Sequence, residues 1–359
     1  MKKLMLGNEA VARGLYEAGC TVVSSYPGTP STEITEVAAT YDDIYSEWAP
    51  NEKVAAEVAY GASMAGARSF CAMKHVGLNV AADLLYTASY AGANGGFVLA
   101  VADDSGMHSS QNEQDSRHHA IASKVPMLEP ADSAECLSFT KLAFEISEQF
   151  DTPVILRLST RISHSQSLVE LSDRVVPPLK EYVKDPMKRV MMPAAARGRH
   201  AIVEERTNKL KEYANTLPIN QIIKGGNIGV ITSGIAYQYA REALGDRATY
   251  LKLGMVHPLS EKQILNFAKQ FDMVYVLEEL DSIIEDFCKA NGIRVIGKEL
   301  FSRLGEYTAT EIKEKILHET PEYTEIKEKV PMRPPVLCPG CPHRGVFFVL
   351  NKLKLFVSG

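Results

Sequence analysis

Cys20-Thr21-Val22-Val23-Ser24-Ser25-Tyr26-Pro27-Gly28-Thr29-Pro30 is the stretch that decides how the first half of the chain folds. Its β-branched beginning predicts a strand, and its Pro and Gly residues predict a tight turn where the strand ends. A helix capped by Asn8 is predicted before it, from Glu9 to Ala18, and a helix capped by Ser31 or Thr32 after it. The stretch is therefore the strand of a helix–strand–helix unit.

The same alternation extends over two parts of the chain. In the first part, strands are predicted at 45–48, 69–73, 96–102 and 153–158, and helices at 52–67, 77–86 and 131–150. In the second part, strands are predicted at 228–234, 250–253, 273–279 and 294–296. Strands that alternate with helices predict a parallel sheet covered on both faces. We therefore expect the α/β class, with a parallel-sheet domain followed by a smaller α/β domain.

Changes in composition set the expected domain boundaries. We expect a first domain at 1–165, a charged and Pro-rich connecting segment at 166–225 with a helix at 200–213, a second domain at 226–315 and a linker at 316–335. Residues 336–359 begin a further unit, with a helix at 346–352 and an apolar strand at 353–357. A strand that is apolar on both faces needs a parallel sheet around it, so we expect the chain to be part of a longer protein.

Charge and hydropathy exclude several classes of function. The net charge is −5 and no basic run indicates a nucleic-acid partner. Apolar stretches are short, so no membrane span is expected, and Glu9 interrupts the region where a signal peptide needs an apolar core. A cytoplasmic location follows.

The turn Tyr26-Pro27-Gly28-Thr29-Pro30 comes at the carboxyl end of a predicted strand, where α/β sheets bind ligands. The hydroxyl groups of Thr29, Ser31 and Thr32, next to a helix N-terminus, suit an anion such as a carboxylate. The alternative is a rigid turn with a capping box.

Glu52 begins a helix rich in small residues and is a candidate site residue. The alternative is that its carboxylate only complements the helix dipole in the first turn. Lys74-His75-Val76-Gly77 follows a strand and is expected at the same sheet edge as Thr29, unless it is an ordinary loop. The polar loop at 103–112 could contact a substrate or partner, but it lacks the ligand spacing of a calcium site.

Cys338-Pro339-Gly340-Cys341, followed by His343, has the pattern of half a zinc or iron–sulfur site. A closed tetrahedral site needs four ligands, and the sequence has no second cysteine pair of this kind. We therefore predict no metal site formed by this chain. Cys20, Cys71, Cys136 and Cys288 are expected to be buried, reduced thiols.

Together these motifs resemble the thiamine-diphosphate-dependent 2-oxoacid:ferredoxin oxidoreductases, and within them the alpha subunits that act on indolepyruvate. The resemblance covers the whole chain. It rests on five stretches: Gly7-Asn8-Glu9-Ala10, Tyr26-Pro27-Gly28-Thr29-Pro30, Asn51-Glu52-Lys53-Val54-Ala55, Lys74-His75-Val76-Gly77 and Cys338-Pro339-Gly340-Cys341. It implies that residues 1–165 bind the pyrimidine ring, that 226–315 resemble the C-terminal domain of transketolases, and that 336–359 begin a diphosphate-binding domain.

The resemblance also implies roles for particular residues. Glu52 would hydrogen-bond N1′ of the aminopyrimidine and favour the tautomer that removes the C2 proton, which is acid–base catalysis through the cofactor. Thr29 and His75 would bind the substrate. Further cofactor contacts would come from Tyr26, Pro27, Gly28, Cys338 and Cys341. The ligands of Mg²⁺ are expected beyond residue 359, and iron–sulfur clusters in the full-length protein, so this chain is expected to be inactive alone.

The implied reaction is oxidative decarboxylation of indolepyruvate and other aryl pyruvates to acyl-coenzyme A, with ferredoxin as the electron acceptor. The implied partners are a smaller oxidoreductase subunit and a second copy of the chain. Alternatives are another 2-oxoacid oxidoreductase, a subunit of a sulfopyruvate- or phosphonopyruvate-type decarboxylase, or a scaffold subunit that has lost the chemistry. The retained Glu52 counts against the scaffold.

Overall fold

The computed structural model describes residues 1–320, 328–329, 331, 337 and 339–358. They belong to two units, Met1–Thr320 and Pro321–Gly359. The strands are β1 (Lys2–Leu6), β2 (Val22–Ser25), β3 (Tyr45–Trp48), β4 (Ser69–Lys74), β5 (Phe97–Asp103), β6 (Met127–Leu128), β7 (Val154–Ser159), β8 (Gln166–Glu170), β9 (Gln221–Ile223), β10 (Ile228–Ser233), β11 (Ala248–Leu253), β12 (Met255–His257), β13 (Val274–Leu277) and β14 (Val295–Ile296).

The helices cover most of the remaining chain. They are α1 (Gly7–Glu17), α2 (Thr32–Ala38), α3 (Glu52–Met64), α4 (His75–Ala91), α5 (Arg117–Ser123), α6 (Ser133–Phe150), α7 (Thr160–His164), α8 (Pro186–Arg189), α9 (Pro193–Ala214), α10 (Gly234–Leu244), α11 (Glu261–Ala268), α12 (Ile283–Ala290), α13 (Ala309–Leu317) and α14 (His343–Lys352). A short 3₁₀ turn lies at Gly245–Arg247. Within the described residues, no helix is both long and apolar enough to cross a bilayer.

The first large sheet has seven strands in the order β12-β6-β7-β5-β4-β2-β3. Its neighbouring strands are parallel, except that β12 pairs with β6 in the antiparallel sense. All residues of β5 are buried, as expected for the centre of a parallel sheet that is covered on both faces. Helices α1 and α6 pack on one face and α3 and α4 on the other, with a separate apolar core under each pair.

The second sheet has the order β14-β13-β10-β11-β9, and only its edge strand β9 is antiparallel. Helices α10 and α13 cover one face, and α11 and α12 the other. The predicted α/β class with two successive parallel units is therefore confirmed. The exact domain boundaries stay a prediction. Strand β12 belongs to the predicted second domain by its place in the sequence, but it pairs with β6 of the first sheet.

The structure differs from the sequence prediction at the N-terminus. Residues Lys2–Leu6 form a strand that pairs with β8, inside the segment predicted as a connection. Helix α1 begins at Gly7, and Asn8 is buried within it rather than capping it. The side chain of Asn8 instead donates to the carbonyl oxygen of Pro30 (2.7 Å) and to Glu33 (2.8 Å). Such long-range partners cannot be read from local cap signals.

The unit at Pro321–Gly359 also departs from the prediction. Helix α14 begins at His343, three residues before the expected start, and residues 353–357 form no strand. The strand prediction is wrong for the described residues 339–358. A strand is stabilised by hydrogen bonds to a neighbour, and the described residues of this unit contain no strand that could provide them.

Candidate functional site

The carboxyl ends of β2, β3, β4 and β5 lie side by side because these strands are parallel neighbours. Ser25 is opposite Trp48 in adjacent strands, and Lys74 is opposite Ala102. The next residues along the chain include Thr29 after β2, Glu52 after β3 and His75 after β4. The structure thus brings these three predicted site residues to one edge of the first sheet, where α/β proteins bind ligands.

The turn that carries Thr29 is held by its own hydrogen bonds. The Gly28 amide donates to Thr32 Oγ1 (2.9 Å), and Ser31 Oγ donates to the Gly28 carbonyl oxygen (2.9 Å). Ser31 therefore occupies the N-cap position of α2, but its hydroxyl closes the turn rather than capping the helix. Thr29 is exposed at the tip, as are Tyr26 and Pro27.

Glu52 is the first residue of α3, and Asn51 caps this helix by accepting the Val54 amide at 3.0 Å. The Glu52 side chain lies against the first turn of α4. A Cβ atom on Gly77 would come within 2.6 Å of Glu52 Cγ and 2.7 Å of Oε1. Glycine at position 77 is what allows this approach. Among the described residues, the half-buried Glu52 carboxylate has no hydrogen-bond or ion-pair partner, whereas Lys53 pairs with Asp83.

His75 is the first residue of α4 and is 1% exposed. Neither ring nitrogen has a hydrogen-bond partner among the described residues. Burial lowers the pKa of His75, the ammonium group of Lys74 lowers it further, and Asp104 opposes the shift. The ring is therefore neutral at pH 7. Most buried polar atoms in proteins have a hydrogen-bond partner, so a water molecule or a ligand is expected to pair with this ring.

The polar loop after β5 is anchored by Asp104. Its carboxylate accepts the Ser109 amide (2.9 Å) and the hydroxyl groups of Ser110 and Thr160 (both 2.7 Å). Burial alone would raise the pKa of Asp104, but these hydrogen bonds lower it to about 2. Ser109 Oγ in turn donates to the Thr29 carbonyl oxygen at 3.3 Å. The loop therefore lies beside the turn after β2.

Lys74 joins these two loops. Its Nζ donates to the Ser109 carbonyl oxygen at 3.0 Å. Its aliphatic chain passes Gly28, where a Cβ would lie 3.4 Å from Lys74 Cδ. The sequence pattern drew attention to this segment, but the roles of Lys74 and Asp104 depend on contacts between loops that are far apart in the chain.

A buried charge network lies next to this edge. Arg117, at the start of α5, pairs with Asp115 (2.6 Å) and with Glu278 (2.5 Å), which directly follows β13. Arg157 on β7 pairs with Asp103 at 2.8 Å. Burial opposes ionisation of Asp115, but Arg117 and Arg157 hold its pKa well below the usual range. The network connects the carboxyl edge of the first sheet to that of the second, and sequence reasoning did not find it.

The other predicted cofactor contacts lie in the second unit. Cys338 lies outside the described residues. Cys341 has its Sγ 3.4 Å from His343 Nδ1. Within the described part of the chain, no group of three or more His, Cys, Asp or Glu side chains could hold a metal ion. The assignments of Tyr26, Pro27, Gly28, Cys338 and Cys341 stay predictions.

Comparison with known proteins supports this picture of the fold. The family model described as "Pyruvate flavodoxin/ferredoxin oxidoreductase, thiamine diP-bdg" matches residues 13–220. An indolepyruvate oxidoreductase subunit IorA from Archaeoglobus fulgidus is 41% identical over 98% of this chain, and the match covers 61% of that relative. The chain thus spans about three fifths of the length of this relative.

Solved structures share the fold at low sequence identity. A 2-oxoglutarate:ferredoxin oxidoreductase from Magnetococcus marinus, solved with 2-oxoglutarate, coenzyme A and succinyl-CoA bound, aligns with a TM-score of 0.72 and 18% identity. The alignment covers 88% of this chain and 65% of that one. A split-gene transketolase aligns with a TM-score of 0.54 and 16% identity, covering 87% and 96%. These likenesses concern the fold alone.

Proposed function

The chain belongs to the thiamine-diphosphate-binding pyruvate flavodoxin/ferredoxin oxidoreductase family, and from this premise we propose that it provides the pyrimidine-binding half of an active site that decarboxylates 2-oxoacids oxidatively. The observation that carries the proposal is the Glu52 carboxylate. It has no partner among the described residues and lies against Gly77 at the carboxyl edge of the first sheet. A group in this position is available to a ligand.

The residues at this edge fit the aminopyrimidine ring. The unpartnered carboxyl group of Glu52 is a suitable hydrogen-bonding partner for a ring nitrogen, and Gly77 leaves room for it. When bound, thiamine diphosphate supplies the carbon nucleophile and the electron sink of the reaction. Glu52 would hold N1′ of the ring and could exchange a proton with it. Thr29 would border the substrate, and the neutral ring of His75 would offer the substrate one donor and one acceptor nitrogen.

The proposed substrates are indolepyruvate and other aryl pyruvates, because the 41% identical relative is named an indolepyruvate oxidoreductase subunit. Coenzyme A would accept the acyl group and ferredoxin the electrons, through iron–sulfur clusters of the complete protein. A smaller subunit would complete the enzyme, and Mg²⁺ would accompany the diphosphate. A cytoplasmic location is part of the same proposal.

We also propose that the chain forms a homodimer. Large apolar side chains are exposed on the paired helices α3 and α4 and on the edge strand β3. We call them the α3/α4 surface, and they are Tyr45, Trp48, Val58, Val80 and Tyr86. Exposed apolar groups of this size mark interaction surfaces when they cluster. We propose that a second copy of the chain covers this surface, so that each assembly contains two copies of the site.

The test of the proposed function is Glu52→Gln in the assembled oxidoreductase, with phenylpyruvate as substrate. Glutamine keeps the size of the side chain but cannot exchange a proton, so turnover should fall by about 100-fold or more. Glu57→Gln, an exposed position on the same helix, is the matched control and should retain turnover.

Unchanged turnover in Glu52→Gln would refute the catalytic assignment and favour the scaffold alternative. The substrate alternatives are separated by comparing kcat/KM for phenylpyruvate, indolepyruvate, 2-oxoglutarate and sulfopyruvate. A preference for sulfopyruvate without acyl-coenzyme A formation would favour a decarboxylase subunit instead.

A further inference from the structure

The ammonium group of Lys74 has no carboxylate partner among the described residues. Its Nζ donates to a backbone carbonyl oxygen, that of Ser109, at 3.0 Å. Asp104, which acts electrostatically on the adjacent His75, is engaged by Ser109, Ser110 and Thr160. A cation is therefore held between the turn after β2 and the loop after β5 without its charge being neutralised.

The first turn of α4 adds a second favourable group. Lys74 is the N-cap residue of this 17-residue helix, and no side chain caps it. The first turn contains no acidic residue. The first amide groups of a helix lack intrahelical acceptors and lie at the positive end of the helix dipole, so they favour an anion.

His75 provides an independent observation at the same place. It is 1% exposed, and both ring nitrogens lack partners among the described residues. A neutral imidazole carries one N–H donor that can bind an oxygen atom. Two adjacent residues thus combine three features that favour an anion. Within the part of the chain that the structure describes, Lys74 carries an unpaired positive charge, His75 has a buried donor without a partner, and both lie at the uncapped start of α4.

We propose that Lys74, His75 and the first amide groups of α4 form an anion subsite that binds the carboxylate of the 2-oxoacid substrate. The proposal rests on the proposed function. Glu52 lies against Gly77 in the same helical turn, so a ligand bound here is close to the group assigned to the aminopyrimidine ring. This proximity favours the carboxylate of the reacting molecule over a phosphate of coenzyme A.

The chemistry predicts which kinetic constant depends on Lys74. The substrate carboxylate is charged when it binds and leaves as neutral CO₂, so its attraction to the ammonium group weakens along the reaction. An interaction that is stronger in the ground state than in the transition state lowers KM and cannot raise kcat, so its removal should raise KM and leave kcat unchanged or slightly higher. Lys74 is therefore expected to act on substrate binding rather than on turnover.

The experiment compares Lys74→Met with the parent in the assembled oxidoreductase. Loss of one charge-assisted contact should raise the KM for phenylpyruvate about tenfold or more, with kcat within about twofold. Lys74→Arg keeps the charge and should recover part of the affinity. Lys209→Met, which removes an exposed lysine of α9, is the control and should match the parent.

Three probes distinguish the carboxylate from other ligands. Phenylacetaldehyde lacks the carboxylate, and its KM should not change in Lys74→Met. The KM for coenzyme A should also stay unchanged. The dissociation constant of 3-phenylpropanoate, which has the carboxylate but no ketone, should rise by about the same factor as the KM for phenylpyruvate, as measured by calorimetry.

The subsite is refuted if Lys74→Met leaves the KM for phenylpyruvate unchanged, raises it equally for the aldehyde, or raises only the KM for coenzyme A. These results can be separated from failure of the proposed function by Glu52→Gln. If Glu52→Gln loses turnover while Lys74→Met binds 3-phenylpropanoate like the parent, only the anion subsite is wrong. If Glu52→Gln retains turnover, the function itself is wrong.

Discussion

At the scale of single residues, the site depends on a glycine, Gly77. Gly77 has no Cβ, and the space that a Cβ would need is occupied by Glu52. Contacts below about 3 Å between carbon atoms are strongly repulsive, so the two residues fit together only in this combination. The glycine therefore allows the carboxylate to lie against the first turn of α4.

Gly77→Ala should displace Glu52 and lower turnover on phenylpyruvate by about tenfold or more, because misplacing a catalytic group by about 1 Å is costly. Activity of the assembled enzyme and calorimetric binding of thiamine diphosphate are the measurements. Gly198→Ala is the matched control, since nothing lies within 4 Å of a Cβ at that exposed helical position. It should keep full activity and be slightly more stable. Equal activity of the parent and Gly77→Ala would contradict the role given to this contact.

At the scale of the elements, the two large sheets are joined by buried charges at their carboxyl edges. Arg117 of α5 pairs with Glu278, which follows β13, and also donates to the carbonyl oxygens of Glu279 (3.1 Å) and Asp281 (2.9 Å). Burial raises the pKa of Glu279 to about 7. One guanidinium group thus connects α5 to the segment that follows β13 in the second α/β unit.

Arg117→Met should lower the free energy of unfolding by about 3–5 kcal/mol, because it leaves Asp115 and Glu278 as buried charges without their partner. The measurement is denaturant unfolding followed by circular dichroism. Arg241→Met removes a half-buried arginine whose ion pair with the exposed Asp246 lies at the surface, and it should change stability little. If both variants unfold at the parent midpoint, the network does not hold the two sheets together.

At the scale of the whole molecule, the α3/α4 surface is the part of the chain that we propose to pair with a second copy. Val58 and Val80 lie on different helices of it and are 37% and 48% exposed. Both helices begin at the site, Glu52 on α3 and His75 on α4. A dimer through this surface would therefore pack directly behind the groups proposed to bind the cofactor and the substrate.

The double variant Val58→Glu, Val80→Glu should halve the mass of the assembled oxidoreductase in sedimentation, because two buried unpaired carboxylates would oppose association. Val183→Glu, at an exposed position in the segment between β8 and α8, should leave the mass unchanged. A parent enzyme that already sediments with one copy of the chain would refute the homodimer.

The sequence by itself predicted the strands β2, β3, β4, β5, β7, β10, β11, β13 and β14, because period and turn chemistry are local properties, but it did not predict the shorter or edge strands β1, β6, β8, β9 and β12. It also placed Thr29, Glu52 and His75 correctly at strand ends. Only the tertiary structure decided that β1 pairs with β8 and that Asn8 holds Pro30. The same holds for the contact of Lys74 with the Ser109 loop and the pairing of Arg117 with Glu278. These contacts join residues 22 to 168 positions apart, and such pairings depend on how the sheets pack rather than on any pattern within one element.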